Sequence, residues 1–251
     1  MPKLKNLIMK NERYMIMNTK KFLHGLMAAG IFAGTLIFAP NINLPIAHAE
    51  SIADYDAAIK ANPNDAAAYS ERGLCFYYLR DYESALHDLN TALEINPRFA
   101  MAYLSRGLVY TDLKNYKQAI SDFTKSIEVY PNNAKAYYRR GKAYRFLNYS
   151  VEPERDFTKA IELEPNFVEA YNERGLLNAS AGDYRLAISD FSKAIEINPD
   201  YAKAYYNRGK AYSDFADYER QLHKNKSKDY QQLIDKAAAD FSKAKKLGYQ
   251  E

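Results

Sequence analysis

The sequence has one cysteine, Cys75, and no tryptophan in 251 residues, with only ten glycines and nine prolines. A lone cysteine excludes a disulfide-stapled fold. Beyond residue 49 seven glycines remain, at 73, 107, 141, 175, 182, 209 and 248, and no glycine-rich phosphate loop can be assembled from them. Histidine is equally sparse there. His87 and His223 stand far apart, neither has a second His or Cys at ligand spacing, and no metal is expected. Cys75 sits beside Phe76 with no histidine near it in the pattern, which suits a buried thiol rather than a nucleophile. The many acidic residues fit a solvated helix face. With no catalytic constellation and no cofactor site, the chain is expected not to be an enzyme.

A surplus of one charge is also missing. The formal net charge of +4 comes from residues 1–49, which hold six basic side chains and one acidic one. The remainder carries 29 basic and 30 acidic residues, so the basic pI is no sign of nucleic-acid binding.

Residues 1–49 read as an export signal of bacterial type. A basic stretch precedes the apolar run 22–39, and Ala47-His48-Ala49 supplies a small-x-small cleavage site. The expected cut follows Ala49, with a true start at Met15 or Met17 as an option, and the product would be periplasmic or secreted. The alternative is an uncleaved anchor made by 22–39. Its 18 residues span roughly 27 Å as a helix, short of a bilayer core of about 30 Å. Membrane contact is expected only if the leader is kept.

What dominates the remainder is a period. Prolines fall at 63, 97, 131, 165 and 199, each 34 apart. Tyr69, Tyr103, Tyr137, Tyr171 and Tyr205 keep the same step, as do Gly73, Gly107, Gly141, Gly175 and Gly209. A fixed period of this length means stacked supersecondary units. With Ala66 as position 1, the units run 66–99, 100–133, 134–167 and 168–201, and a fifth occupies 202–251. Tyr103, Gly107 and Tyr110 share one helix face, and Ala119, Phe123 and Ser126 share a face of a second helix. A polar turn separates the two, and the proline step ends the second. Each unit is therefore an antiparallel helix pair. Recurrent glycine inside a helix costs about 1 kcal/mol relative to Ala, and the simplest reason is close approach of the two helices, with Ala at position 20 as the other small surface.

Three irregularities interrupt the register. Residues 50–65 match only a second helix and read as a half-repeat cap. Pro153 replaces the alanine of position 20, which predicts a later helix start with Ser150 as its cap. In the fifth unit Phe241 stands 16 residues late, which predicts an insertion near 219–236 forming a longer helix pair, with a loop as the alternative.

The motif Tyr103-x2-Arg106-Gly107-x2-Tyr110…Ala119-x3-Phe123…Pro131 resembles the tetratricopeptide repeat family. The resemblance implies an all-α, right-handed solenoid of stacked antiparallel helix pairs. Arginine (72, 106, 140, 174, 208) replaces the family's leucine at position 7, and Asp88, Asp122, Asp156, Asp190 and Asp240 recur on the second helices. Inter-helix ion pairs account for that ladder more simply than a nucleic-acid track does.

The resemblance also implies a concave groove lined by the first helices. Its candidate residues are Tyr77, Tyr78, Leu104, Leu108, Lys135, Tyr138, Arg139, Lys142, Arg145, Asn172, Lys203, Tyr206 and Lys210. The groove would be apolar and aromatic at one end and basic-aromatic toward the other, suited to a peptide or protein that is acidic or has a free C-terminus. Lys135 and Arg139 match one pair of the family's carboxylate clamp, whereas Ser70, Leu74 and Ser105 do not match the rest. The expected function is a non-catalytic interaction scaffold exported from the cytoplasm; the alternative is a structural, self-associating component of an envelope assembly.

Overall fold

The computed structural model describes residues 44–222 and 229–250. Eleven helices and no strand occur among them: α1 Leu44–Ala61, α2 Ala66–Tyr78, α3 Tyr82–Ile95, α4 Ala100–Asp112, α5 Tyr116–Val129, α6 Ala134–Phe146, α7 Glu152–Leu163, α8 Val168–Ser180, α9 Tyr184–Ile197, α10 Ala202–Leu222 and α11 Tyr230–Lys246. From α2 onward they pack as consecutive antiparallel pairs, each second helix also resting on the next first helix. This is the all-α solenoid that the repeat implies. First helices of neighbouring units touch as well (α2 with α4, α4 with α6, α8 with α10), which sets them on the inner side of the curve.

Local chemistry fixes the helix ends. Asp65, Asp81 and Asn133 cap α2, α3 and α6, each accepting a hydrogen bond from the backbone N–H three residues on. Within a unit the turn is a left-handed residue at position 15. Arg80, Lys114 and Asn148 adopt φ of 62°, 59° and 60°, and Gly182 adopts 83°. The N–H groups that follow close Schellman motifs, as in Lys114 N–H to Thr111 O and Asn115 N–H to Tyr110 O. Between units, Asn62, Asn96 and Asn198 accept from the backbone N–H two residues on and so turn the chain around the proline.

The core is made of small residues, with one large buried ring in each of the second, third and fourth units. Ala85, Ala92, Ala102, Ala119, Ala136, Ala160, Ala170, Ala187 and Ala194 have no exposed surface, and neither do Phe123, Phe157 and Phe191. Each buried phenylalanine stabilises by about 1.5–3 kcal/mol. The recurrent glycine faces that ring. A Cβ on Gly107 would stand 2.5 Å from Phe123 Cε1, and one on Gly175 2.7 Å from Phe191 Cε1. In the first unit Leu89 takes the place of the ring, 2.9 Å from a Cβ on Gly73. The nearest neighbour is the side chain at position 24, and the expected alanine of position 20 is close as well where its backbone O comes to 3.2 Å, as Ala85 does for Gly73 and Ala237 for Gly209.

The arginines of position 7 lie in the same seam. Arg72, Arg106, Arg140, Arg174 and Arg208 each donate two hydrogen bonds to the aspartate of their own unit, at 2.7–3.0 Å. The remaining Nη1 reaches back to the previous second helix, onto Asp56, Asn90, Thr124, Thr158 and Ser192 in turn. One side chain therefore ties three helices, and the ladder is structural.

The irregularities take definite forms. α1 runs unbroken through Ala49 and Glu50. Helix α7 begins late, at Glu152, with buried Pro153 in its first turn. Its cap is Val151, which makes no side-chain bond, so the expected Ser150 cap is not formed. In the last unit α10 has 21 residues, against 13 in α8, and the aspartate paired with Arg208 lies 32 residues on instead of 16. The inserted residues lengthen both helices, as the longer helix pair expected near 219–236 requires; residues 223–228 lie outside the described residues. Most of the leader, 1–43, also lies outside them. No helix among the described residues is long and apolar enough to cross a membrane.

Candidate functional site

The candidate groove residues divide into three groups. Along the aromatic end, Tyr77 is half-buried and Tyr78 is exposed, with ring centroids 5.3 Å apart. The Tyr77 hydroxyl is pushed up to about 12, first by burial, then by the Asp112 carboxylate, with Arg139 opposing. Leu104 is buried and Leu108 half-buried in the cluster around Phe123 and Ala136. These leucines shape the wall as core residues.

The second group converges. Tyr138 is buried against Phe167, centroids 4.9 Å apart, and against Phe157 at 5.9 Å. Its outer face carries two cations: the Arg139 guanidinium at 5.7 Å and Lys142 Nζ at 5.7 Å from the ring centroid. On the next turn Arg145 Nη2 approaches Glu173 Oε2 at 3.0 Å. Burial lowers the pKa of Lys142; Glu173 opposes the shift, whereas Arg139, Lys203 and Arg145 add to it. One half-buried ammonium thus feels three further cations and one anion, drawn from α6, α8 and α10. Like charges held this close are unfavourable unless an anion joins them. The arrangement is suited to binding carboxylates, and Arg offers them a planar fork of donors.

The third group stays apart except for Lys203. Asn172 is buried and accepts at Oδ1 from Asn207 Nδ2, 2.7 Å away, so it stitches α8 to α10. Tyr206 stacks on Tyr249, centroids 4.4 Å apart, at the C-terminal end of the stack. Lys135, Lys203 and Lys210 are exposed. Of these three, Lys203 is a charge that Lys142 senses.

Two features of this region escaped the sequence reading. Glu173 stands at position 6, as Arg139 does two helices earlier, so the position already used for Arg139 was the available signal. The second is a cleft of about 680 Å³ beside the cluster, lined by Arg145, Phe146, Tyr149, Leu176, Leu177 and Leu186 among others. It opens where α7 starts late. Its wall is mixed, with Asn148, Glu154, Asn178 and Asp183 beside the apolar side chains, and Arg145 belongs to both the basic cluster and this cleft.

Other reactive groups are quiet. The Cys75 thiol is buried, and burial followed by the Glu71 charge pushes it up to about 11. Among the described residues no group of three or more His, Cys, Asp or Glu side chains could hold a metal ion.

Comparison with known proteins agrees with this architecture. Tetratricopeptide repeat profiles match residues 48–77, 66–99, 100–133 and 134–167, and a TPR repeat profile matches 177–214. Curated proteins give no match. Among solved structures, the chain is similar to YrrB, described as a TPR protein with an unusual peptide-binding site, at 26% identity and a TM-score of 0.61, covering 76% of this chain and 96% of that one. It is similar to MamA at 25% identity and a TM-score of 0.60, covering 72% and 91%. A thermophilic TPR protein of Thermus thermophilus shares the fold at 21% identity and a TM-score of 0.56, covering 78% and 97%. With its 34-residue period, stacked helix pairs and profile matches along most of the stack, the chain belongs to the tetratricopeptide repeat family.

Proposed function

We propose that this protein is an exported, non-catalytic scaffold that holds an acidic peptide segment of a partner protein against the first helices of its third to fifth units. A tetratricopeptide repeat fold is an interaction scaffold, and the similar YrrB has a peptide-binding site. The observation that carries the finer reading is that Arg139 and Lys142 both sit over the Tyr138 ring, with Arg145 one turn on and the charge of Lys203 felt at half-buried Lys142. Rigid stacked helices present these cations already ordered, which lowers the entropy lost on binding. An apolar side chain next to the acidic group would reach the cleft between Phe146 and Leu186. Export follows from the basic, apolar and small-x-small pattern of residues 1–49.

A photoreactive acidic peptide, cross-linked to the full chain and mapped by mass spectrometry, tests the location. Adducts confined to 138–145 and 203–210 support it; adducts spread over the second helices contradict it. Export is tested by fusing residues 1–60 to a reporter that is active only outside the bacterial cytoplasm. An inactive fusion would contradict it.

A further inference from the structure

The basic cluster already contains an anion. The Glu173 side chain is 5% exposed, and Arg145, its partner, is 34% exposed. Although Arg145 Nη2 lies 3.0 Å from Oε2, it is not aligned for a hydrogen bond, and Oε2 has no hydrogen-bond partner at all. A buried carboxylate oxygen held by charge alone is poorly compensated. Its other charged neighbours are Lys142 on α6, Glu169 one turn earlier on α8, whose charge reaches Tyr138 and Tyr201 as that of Glu173 does, and, through Lys142, Arg139 and Lys203. Elsewhere in this protein a buried carboxylate is clasped by two aligned arginine bonds, as Asp190 is by Arg174. Among the buried carboxylates of the described residues Glu173 is the exception, and it lies in the groove.

We infer that Glu173 is a built-in rival for the groove's ligand, and that the groove therefore selects a run of adjacent acidic residues over a single carboxylate. The inference rests on the peptide-binding reading above. A ligand bearing one carboxylate must take Arg145 from a competitor fixed in the same chain, at high effective concentration. The exchange replaces one ion pair by another and gains little. Several acids in a row can engage exposed Arg139 and Lys203 at the same time, so their attraction exceeds what Glu173 opposes. Glu173 thus sets a charge threshold. Gln at 173 keeps the shape and removes the rival charge, so it should lower that threshold.

The test is a fluorescence anisotropy titration of the full chain with two labelled probes of equal length. One is an amidated peptide with four consecutive glutamates; the other is a Gly/Ser peptide whose single acid is its free C-terminal carboxylate. The native protein should bind the glutamate probe and not the other. Glu173→Gln should tighten the glutamate probe roughly tenfold and bring in the single-carboxylate probe. Should Glu173→Gln melt early, Glu173→Met, of similar volume and no charge, carries the same expectation. Unchanged or weaker binding in a variant with native helicity overturns the inference, while the peptide-binding reading survives on native binding. If neither protein binds either probe, both fall.

Discussion

Arg106 holds Asp122 through two parallel hydrogen bonds, Nε to Oδ2 at 2.8 Å and Nη2 to Oδ1 at 2.7 Å, and with its remaining Nη1 reaches Asn90 at 2.7 Å. The carboxylate is almost fully buried and the guanidinium is about four-fifths buried. The hydrogen bonds to Asp122 push the Arg106 pKa above its ordinary value in spite of that burial. Removing one partner of such a pair leaves an uncompensated buried charge. Arg106→Ala should therefore destabilise by about 3–5 kcal/mol, and Asn90→Ala by about 1 kcal/mol, read as shifts of the urea midpoint followed by circular dichroism.

The ladder shows how much the sequence discloses. Arginine at position 7 and aspartate at position 23 recur as fixed residue types, so their pairing is legible. The third bond is not. Its acceptors are Asp56, Asn90, Thr124, Thr158 and Ser192, which share only an oxygen at the right place. Residue identity carries no such pattern; geometry does. The groove behaves likewise. Spacing puts Leu104, Tyr138 and Asn172 on the inner face, but it does not tell how closely neighbouring helices approach: Leu104 is buried beside Ala136 and Asn172 beside Asn207 of the next first helix, and Tyr138 under Phe157 and Phe167.

Gly107 and Phe123 give a second prediction. Alanine is the better helix former by about 1 kcal/mol, yet its Cβ would stand 2.5–3.0 Å from three atoms of the Phe123 ring. Overpacking of this kind costs about 1–3 kcal/mol. Gly107→Ala should thus destabilise, and Gly107→Ala with Phe123→Leu should lose less than the two single changes summed. A double-mutant cycle of thermal melts measures the difference.

The left-handed turn residues predict changes of opposite sign. Lys114 holds φ of 59° and Gly182 holds 83°, with nothing within 4 Å of where a Gly182 Cβ would lie. Lys114→Gly should stabilise, and Gly182→Ala destabilise, each by about 1 kcal/mol, read as shifts in the midpoint of thermal unfolding. Neither should alter binding.

Alkaline pH should loosen the stack. Burial pushes Tyr55, Tyr77 and Tyr201 from 10.0 up to about 12. The folded state keeps these phenols neutral, so their contribution is complete below pH 10 and disappears as pH rises through about 12. Phenolate absorbance and loss of helicity should rise together over that window. Cys75, held at about 11, should resist thiol reagents at neutral pH until the protein unfolds.

The central claim is that the inner face of the third to fifth units binds an acidic segment through its cations. Arg139 and Lys203 are its exposed members, and neither is part of the arginine ladder, so reversing them leaves the scaffold standing. The most direct measurement is the affinity of the full chain and of Arg139→Glu/Lys203→Glu for the amidated four-glutamate peptide. The account predicts binding that weakens with salt and falls at least roughly tenfold in the variant. Equal affinity in the two proteins, or no binding by the native chain, would contradict it.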